Sequence, residues 1–292
     1  METNKKILNT LITDIENGTS HSVDFLLSSE IEKTLSKKGI KVRKIFAPML
    51  RLLYSFKTRY RLKIDKREKI KPIKNNIGGG EQPKSKGKIY VVNHRQADDI
   101  VLGVRAVANS GYIVFGNRYL ALETLDGLGL WAYGMILMDR NDDLNRESTY
   151  NKMKYVIENG GNIIIWSEGY WNLDDDGQKD ERHEADAHNS ENWLIQDINV
   201  GAVRLAQETG SPLIPTILHY DEFKKKRCYA KRGKPFVINK DDDLFAKKDE
   251  FVETMQTMYY LLMEKYSSYE RTILEADGLT LKEQWEMLKE EL

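Results

Sequence analysis

Short apolar runs alternating with stretches of helical spacing constrain this chain more than any other feature. The runs are 89–92, 112–115, 135–138, 163–166 and 213–218. They are rich in Ile and Val and mostly lack the polar alternation of a half-exposed strand, so they read as strands buried on both faces. Helix-period segments lie between or after them at 100–107, 144–158 and 198–208, and a shorter one at 118–123. Gly160-Gly161 and Gly210 follow two of these segments, as glycine commonly closes a helix. The expected fold is α/β, with a largely parallel central sheet flanked by helices. Tyr229 and 236–238 are candidate edge strands, and 251–266 and 281–292 are expected C-terminal helices.

This α/β unit spans 88–292. A stretch with Gly78-Gly79-Gly80 and Gln82-Pro83, residues 75–87, reads as a linker. Residues 1–74 form an N-terminal helical and basic segment. Its first part, 5–35, has helical periodicity interrupted near Gly18. From Lys37 to Lys74 there are fifteen basic residues against two acidic ones, Asp65 and Glu68. Within it, 45–56 interleaves apolar and aromatic side chains with cations, which suits a segment lying on an anionic bilayer. The alternative is that Met49, Leu52, Leu53 and Phe56 pack on the main domain while the lysines are solvated. No nucleic-acid-binding motif accompanies the charge, so nucleic acid is not an expected partner.

The chain of 292 residues carries 45 basic and 45 acidic side chains, so its overall charge announces no polyanionic partner. Its start is polar, with no apolar leader core, and no run approaches 18 apolar residues. The expectation is a cytoplasmic protein, peripheral to the inner face of the membrane. The single cysteine, Cys228, excludes an internal disulfide and reads as a small buried hydrophobe.

The candidate chemistry lies where the first run of the α/β unit ends. Asn93-His94-Arg95-Gln96-Ala97-Asp98-Asp99 bridges a strand and a helix. Ligands of open α/β sheets bind outside the carboxyl ends of strands. A neutral His there can take a proton from a hydroxyl, and an Asp on its other ring nitrogen fixes the tautomer. Alternatively, Asp98 or Asp99 is a helix N-cap and His94 a solvated loop residue. Three further segments sit at strand ends. Gly134 to Arg140 delivers an arginine able to grip a phosphate, or one spent on an ion pair with Asp142 or Asp143. Trp166-Ser167-Glu168-Gly169 brings a carboxylate and a glycine, as a ligand contact or an ordinary turn. Pro215 interrupts the run 213–218, which suggests a kink or bulge.

The order Asn-His-x4-Asp, Gly-x-Ile-x-x-Asp-Arg, Glu-Gly and Ile-Pro-x-Ile resembles the four blocks of the glycerol-phosphate and lysophospholipid acyltransferase superfamily. The resemblance covers roughly 88–220. It implies an enzyme that moves an acyl group from acyl-CoA or acyl carrier protein to a hydroxyl of a lysophospholipid or glycerol-phosphate-like acceptor. In that scheme His94 is the general base and Asp99 its support. Asn93, Arg140, Glu168, Gly169 and Pro215 bind or shape the site for substrate. No metal and no further cofactor is implied.

The chain is an atypical member by its third block. The superfamily commonly has Phe-Pro-Glu-Gly-Thr-Arg, whereas Trp166 and Ser167 stand for Phe-Pro here, and Tyr170 and Trp171 for Thr-Arg. Aromatics there suit a glycolipid or saccharide acceptor, which stays open beside the phosphorylated one. The polar insertion 172–196 holds Asp174, Asp175, Asp176, His183, Glu184 and His188. Their spacing matches no strong metal pattern, and an acidic lid or solvated loop is the favoured reading. A catalytically silent lipid-binding module is the reading from another class. A serine hydrolase ranks low, because no Gly-x-Ser-x-Gly elbow is present.

Overall fold

Strands that are apolar on both faces need cover on both sides, and the chain provides it by crossing the sheet in both directions. A computed structural model describes residues 30–31, 35–58, 60–65, 87–94, 98–116, 129, 131–139, 142–168, 195, 198–220 and 226–266. In chain order its elements are α1 (Lys37–Lys57), β1 (Arg61–Ile64), β2 (Ile89–Val92), α2 (Asp99–Val107), β3 (Tyr112–Phe115), β4 (Met135–Leu137), α3 (Asp143–Glu158), β5 (Ile163–Ile165), α4 (Gly201–Thr209), β6 (Leu213–Tyr220), β7 (Arg227–Arg232) and α5 (Leu244–Tyr266). The strands form one seven-stranded sheet in the order β1-β7-β6-β2-β5-β3-β4. Strands β2 to β6 are mutually parallel, β7 is antiparallel to β6, and β1 is parallel to β7.

The expected α/β class is therefore the observed one. Strand β2 lies between β5 and β6, and the chain leaves it in one direction through α2 and returns across it between β5 and β6 through α4. That reversal opens a crevice at the carboxyl ends of these strands. Two cores fill the faces. On one, Val92 and Ile164 pack with Leu102, Val104 and Ala106 of α2 and with Ala47 of α1. On the other, Val91 and Ile163 pack with α3, α4 and α5. Gly210 closes α4 at φ +65°, a left-handed conformation that glycine adopts at no steric cost.

Three elements depart from expectation. Residues 61–64, read as part of the basic N-terminal segment, form edge strand β1, whose alternate residues are half buried. Tyr229 belongs to β7, which lies inside the sheet between β6 and β1, and Phe236 makes only a bridge to Leu213. Helix α1 is long and continuous, starting at Ser36, whose side chain accepts the Gly39 N–H at 3.0 Å. The expected helices at 5–29, 118–123 and 281–292 and the linker 75–86 lie outside the described residues.

Helix α1 docks through a narrow side. Ile40 and Ala47 are buried, and the Arg43 guanidinium lies over the rings of Tyr112 (5.3 Å) and Trp131 (5.4 Å). Its other side leaves Ile45, Phe46, Met49, Leu52, Leu53 and Phe56 exposed, Ile45 to 74% and Phe56 to 80%. The packing of Met49, Leu52, Leu53 and Phe56 on the main domain, one of two readings of that segment, is thus not what the chain does.

Candidate active site

The site begins where β2 stops being a strand. The Asn93 N–H still donates to the Thr216 carbonyl at 3.4 Å. The Asn93 amide then imitates one more residue of the ladder. Its Nδ2 donates to the Leu218 carbonyl at 3.0 Å, and its Oδ1 accepts the Leu218 N–H at 2.7 Å. Asn93 is only 1% exposed, so its side chain braces the ends of β2 and β6 and is not presented to a ligand.

His94 follows the brace. Its backbone N–H donates to Glu168 Oε1 at 2.7 Å, which ties the end of β5 to the end of β2. Glu168 is buried, as a carboxylate can be when it accepts such bonds. The His94 Nδ1 lies 3.2 Å from Asp99 Oδ2. Asp99 is fully buried in the first turn of α2, where the positive end of the helix dipole favours a carboxylate. The capping position falls to Asp98, whose side chain makes no cap bond. Of the two roles open to Asp99, the structure gives it the contact with His94. Its other oxygen, Oδ1, accepts the hydroxyl of Tyr220, the last residue of β6.

Tyr220 was not among the expected site residues. The sequence carried one usable signal, a polar aromatic ending a long apolar strand on the side where ligands bind. Trp166 is the second addition. Its ring centroid lies 6.2 Å from that of His94, and it fits because residue 103 is glycine: a Cβ there would stand 2.8 Å from Trp166 Cζ2. An aromatic wall beside the imidazole limits the water around it.

Pro215 lies apart from this group. Its ring packs on the α5 face, where a Cβ on Gly233 would meet Pro215 Cγ at 2.7 Å and Met258 Sδ at 2.6 Å. The proline is tolerated because the β6–β7 pairing slips there. Thr216 pairs with Arg232 but Leu213 with Phe236, so one extra residue bulges opposite Pro215, and Gly233 N–H donates to its carbonyl at 2.8 Å. Arg140 and Gly169 lie outside the described residues, as does the insertion 172–196 except for Ile195. The backbone of Ile195 is held by Gln256 of α5. Among the described residues no cluster of three His, Cys, Asp or Glu side chains is placed to hold a metal. Cys228, fully buried near Asp99 and Arg105, has its thiol pushed well above the usual range by desolvation, so it behaves as a hydrophobe and not a nucleophile.

The acyltransferase family model matches residues 63–219, just over half of the chain. The chain belongs to the acyltransferase family. It is an enzyme that transfers acyl groups, and the superfamily resemblance stands. The matched region of this acyltransferase starts within β1 and ends one residue before Tyr220, so it spans the parallel sheet. No curated protein matches the chain in sequence. Among solved structures, the crystal structure of the 1-acyl-sn-glycerophosphate (LPA) acyltransferase PlsC from Thermotoga maritima superposes with a TM-score of 0.51. The two share 14% identity, over 78% of this acyltransferase and 83% of that chain, a likeness of fold. Among the described residues no helix is long and apolar enough to cross a membrane.

Proposed function

We propose that this enzyme moves an acyl group from a thioester, acyl-CoA or acyl carrier protein, to a hydroxyl of a lysophospholipid or glycerol-phosphate-like acceptor. The observation that carries the reading is the 3.2 Å contact between His94 Nδ1 and Asp99 Oδ2 in the crevice beside β2. With its proton on Nδ1 and donated to Asp99, the imidazole uses Nε2 as the base. Nε2 takes the acceptor hydroxyl proton as the oxygen attacks the thioester carbonyl. The tetrahedral intermediate collapses, the C–S bond breaks, and the proton on Nε2 passes to the departing thiolate. Asp99 stabilises the imidazolium between these events, and Glu168 and Asn93 hold the backbone that carries His94. Arg140 takes the phosphate of the acceptor in this scheme, and the neighbour's printed substrate, a lysophosphatidate, favours such a headgroup.

A glycolipid or saccharide acceptor is the second reading. It is favoured by Trp166 beside His94 and by Tyr170 and Trp171 where the family has Thr-Arg. In either case the acceptor is a lipid-borne hydroxyl presented at a membrane. Helix α1 suits that task with seven exposed apolar side chains, Val42 among them, no acidic residue and seven basic ones. Attraction to anionic lipid is worth about 1 kcal/mol per basic side chain near the surface. A cytoplasmic enzyme peripheral to the inner membrane face follows from this reading.

The test is acceptor-dependent thiol release from acyl-CoA and acyl carrier protein donors, with products read by mass spectrometry. His94→Ala is expected to lose about 10²–10⁴-fold in rate. Retention of activity in that variant would remove His94 as the base. Arg140→Ala is expected to lose affinity for a phosphorylated acceptor, and unchanged affinity would hand the reading to the saccharide.

A further inference from the structure

We propose that Tyr220 is a positioning residue for acyl transfer, acting on His94 through Asp99. The inference rests on His94 as the base. Each oxygen of the Asp99 carboxylate has a partner in the site: Oδ2 faces His94 Nδ1 at 3.2 Å, and Oδ1 accepts the Tyr220 hydroxyl. Asp99 is fully buried, so these contacts fix the rotation of the carboxylate and the charge it offers the imidazole.

Tyr220 is itself held on two sides. Its ring meets Tyr60 edge-on, with centroids 5.0 Å apart and planes at 72°. Tyr60 lies just ahead of β1 and is pinned by a bond from its N–H to Thr58 Oγ1 at 3.2 Å. On β6, Leu218, two residues before Tyr220, is clamped by the Asn93 amide. The strand end bearing Tyr220 is thus bound to the strand end bearing His94. The hydroxyl reaches Asp99 within one rigid frame. Among the described residues, ionisable groups around this frame include Glu168 on the His94 backbone, Asp98 and Arg105 of α2, Cys228 of β7 and Tyr60. The tyrosine hydroxyl of β6 is a neutral donor on the Asp99 carboxylate.

The consequence is chemical. A donor on Oδ1 withdraws charge from the carboxylate and moderates its hold on the Nδ1 proton. Without it the carboxylate is freer to rotate and carries more charge toward His94. The imidazole is then held less firmly in the orientation that presents Nε2 to the acceptor hydroxyl, and fewer encounters lead to proton transfer.

The experiment measures kcat and KM of Tyr220→Phe in the thiol-release assay, with kcat counted per folded molecule from circular dichroism and His94→Ala alongside. Tyr220→Phe keeps the ring against Tyr60 and removes only the hydroxyl. We expect kcat to fall about ten- to hundredfold, the worth of one charge-assisted hydrogen bond, with KM changed less than about twofold. Counting kcat per folded molecule keeps the measurement decisive even in a poor preparation. An unchanged kcat per folded molecule, or a loss confined to KM, would overturn the proposal. If His94→Ala stays active, it is instead the reading of His94 as base that fails. If His94→Ala is dead and the kcat of Tyr220→Phe is unchanged, only the role of Tyr220 falls.

Discussion

Asn93→Ala tests whether a side chain is completing the sheet. The amide of Asn93 pairs with both backbone groups of Leu218, at 3.0 Å and 2.7 Å, in a fully buried setting. Alanine removes both partners and leaves the Leu218 N–H and C=O without them. Each such group costs about 1–3 kcal/mol when left unsatisfied in the interior. Partial relaxation of the strand ends recovers some of that, so the expected loss is about 2–4 kcal/mol. For a chain of this size that lowers the melting temperature by roughly 5–15 °C. Urea unfolding followed by tryptophan fluorescence gives the free energy, and the m-value should stay constant because the folded surface is unchanged. The midpoint variant to compare is Asn93→Asp. It keeps the acceptor for the Leu218 N–H but turns a carboxylate oxygen toward the Leu218 carbonyl, so at neutral pH it should be no more stable than the alanine variant. A loss below about 0.5 kcal/mol for Asn93→Ala would refute the reasoning, because it would mean that the Leu218 groups find other partners at no cost.

Three further outcomes are expected. Gly103→Ala gains about 1 kcal/mol of helix propensity but overpacks against Trp166, at about 1–3 kcal/mol; a melting curve should show a small net loss, and the thiol-release rate should fall more than stability does, because Trp166 lines His94. Burial pushes Lys152 of α3 down to about 8, so the fold bears the cost of its charge in full below that pH and is relieved of it as pH rises toward 10.5, where the unfolded chain also deprotonates. The stability of Lys152→Met relative to wild type should therefore narrow between pH 7.5 and about 10 in denaturant titrations, and a gap independent of pH would contradict it. Phe56→Ser with Leu52→Ser should weaken cosedimentation with vesicles containing anionic lipid about tenfold or more while leaving the melting temperature nearly unchanged, since both side chains are exposed in the folded enzyme.

Much of the sheet was legible because its strands carry apolar residues on both faces, a pattern with few alternatives once helices lie between them. Strands β2 to β6 were read within one or two residues at their ends. Strand β1 was not, because Arg61-Leu62-Lys63-Ile64 sits in a run of cations and alternates weakly; the lysines and arginines of an edge strand mask it while they protect the edge. Helix α1 reads as an interfacial segment and not as a long helix, since most of its large apolar residues face outward and its narrow inward side, with Ile40, Arg43 and Ala47, carries too few to show a helical period. In the site, the pairing of His94 with Asp99 could be reasoned from their spacing across a strand-to-helix junction. The roles of Asn93 and Glu168 could not, because each acts on backbone of another strand, and no local pattern reports such a partner. Pro215 signalled its bulge correctly but not its face, which depends on the register of β6 against β7. Tyr220 escaped because its partner lies 121 residues earlier.

Those long separations also govern how the enzyme comes to life after synthesis. His94 is held by Glu168, 74 residues on, and its strand by Leu218, 125 residues beyond Asn93. None of these contacts forms until β5 and β6 have docked on either side of β2, and parallel pairings of such separation are slow to close. Helices α2 to α4 can gain their hydrogen bonds early in refolding, whereas catalytic power waits for the last strand to seat. Recovered turnover is then a clock for completion of the sheet, and it should lag the far-ultraviolet dichroism signal in any refolding time course.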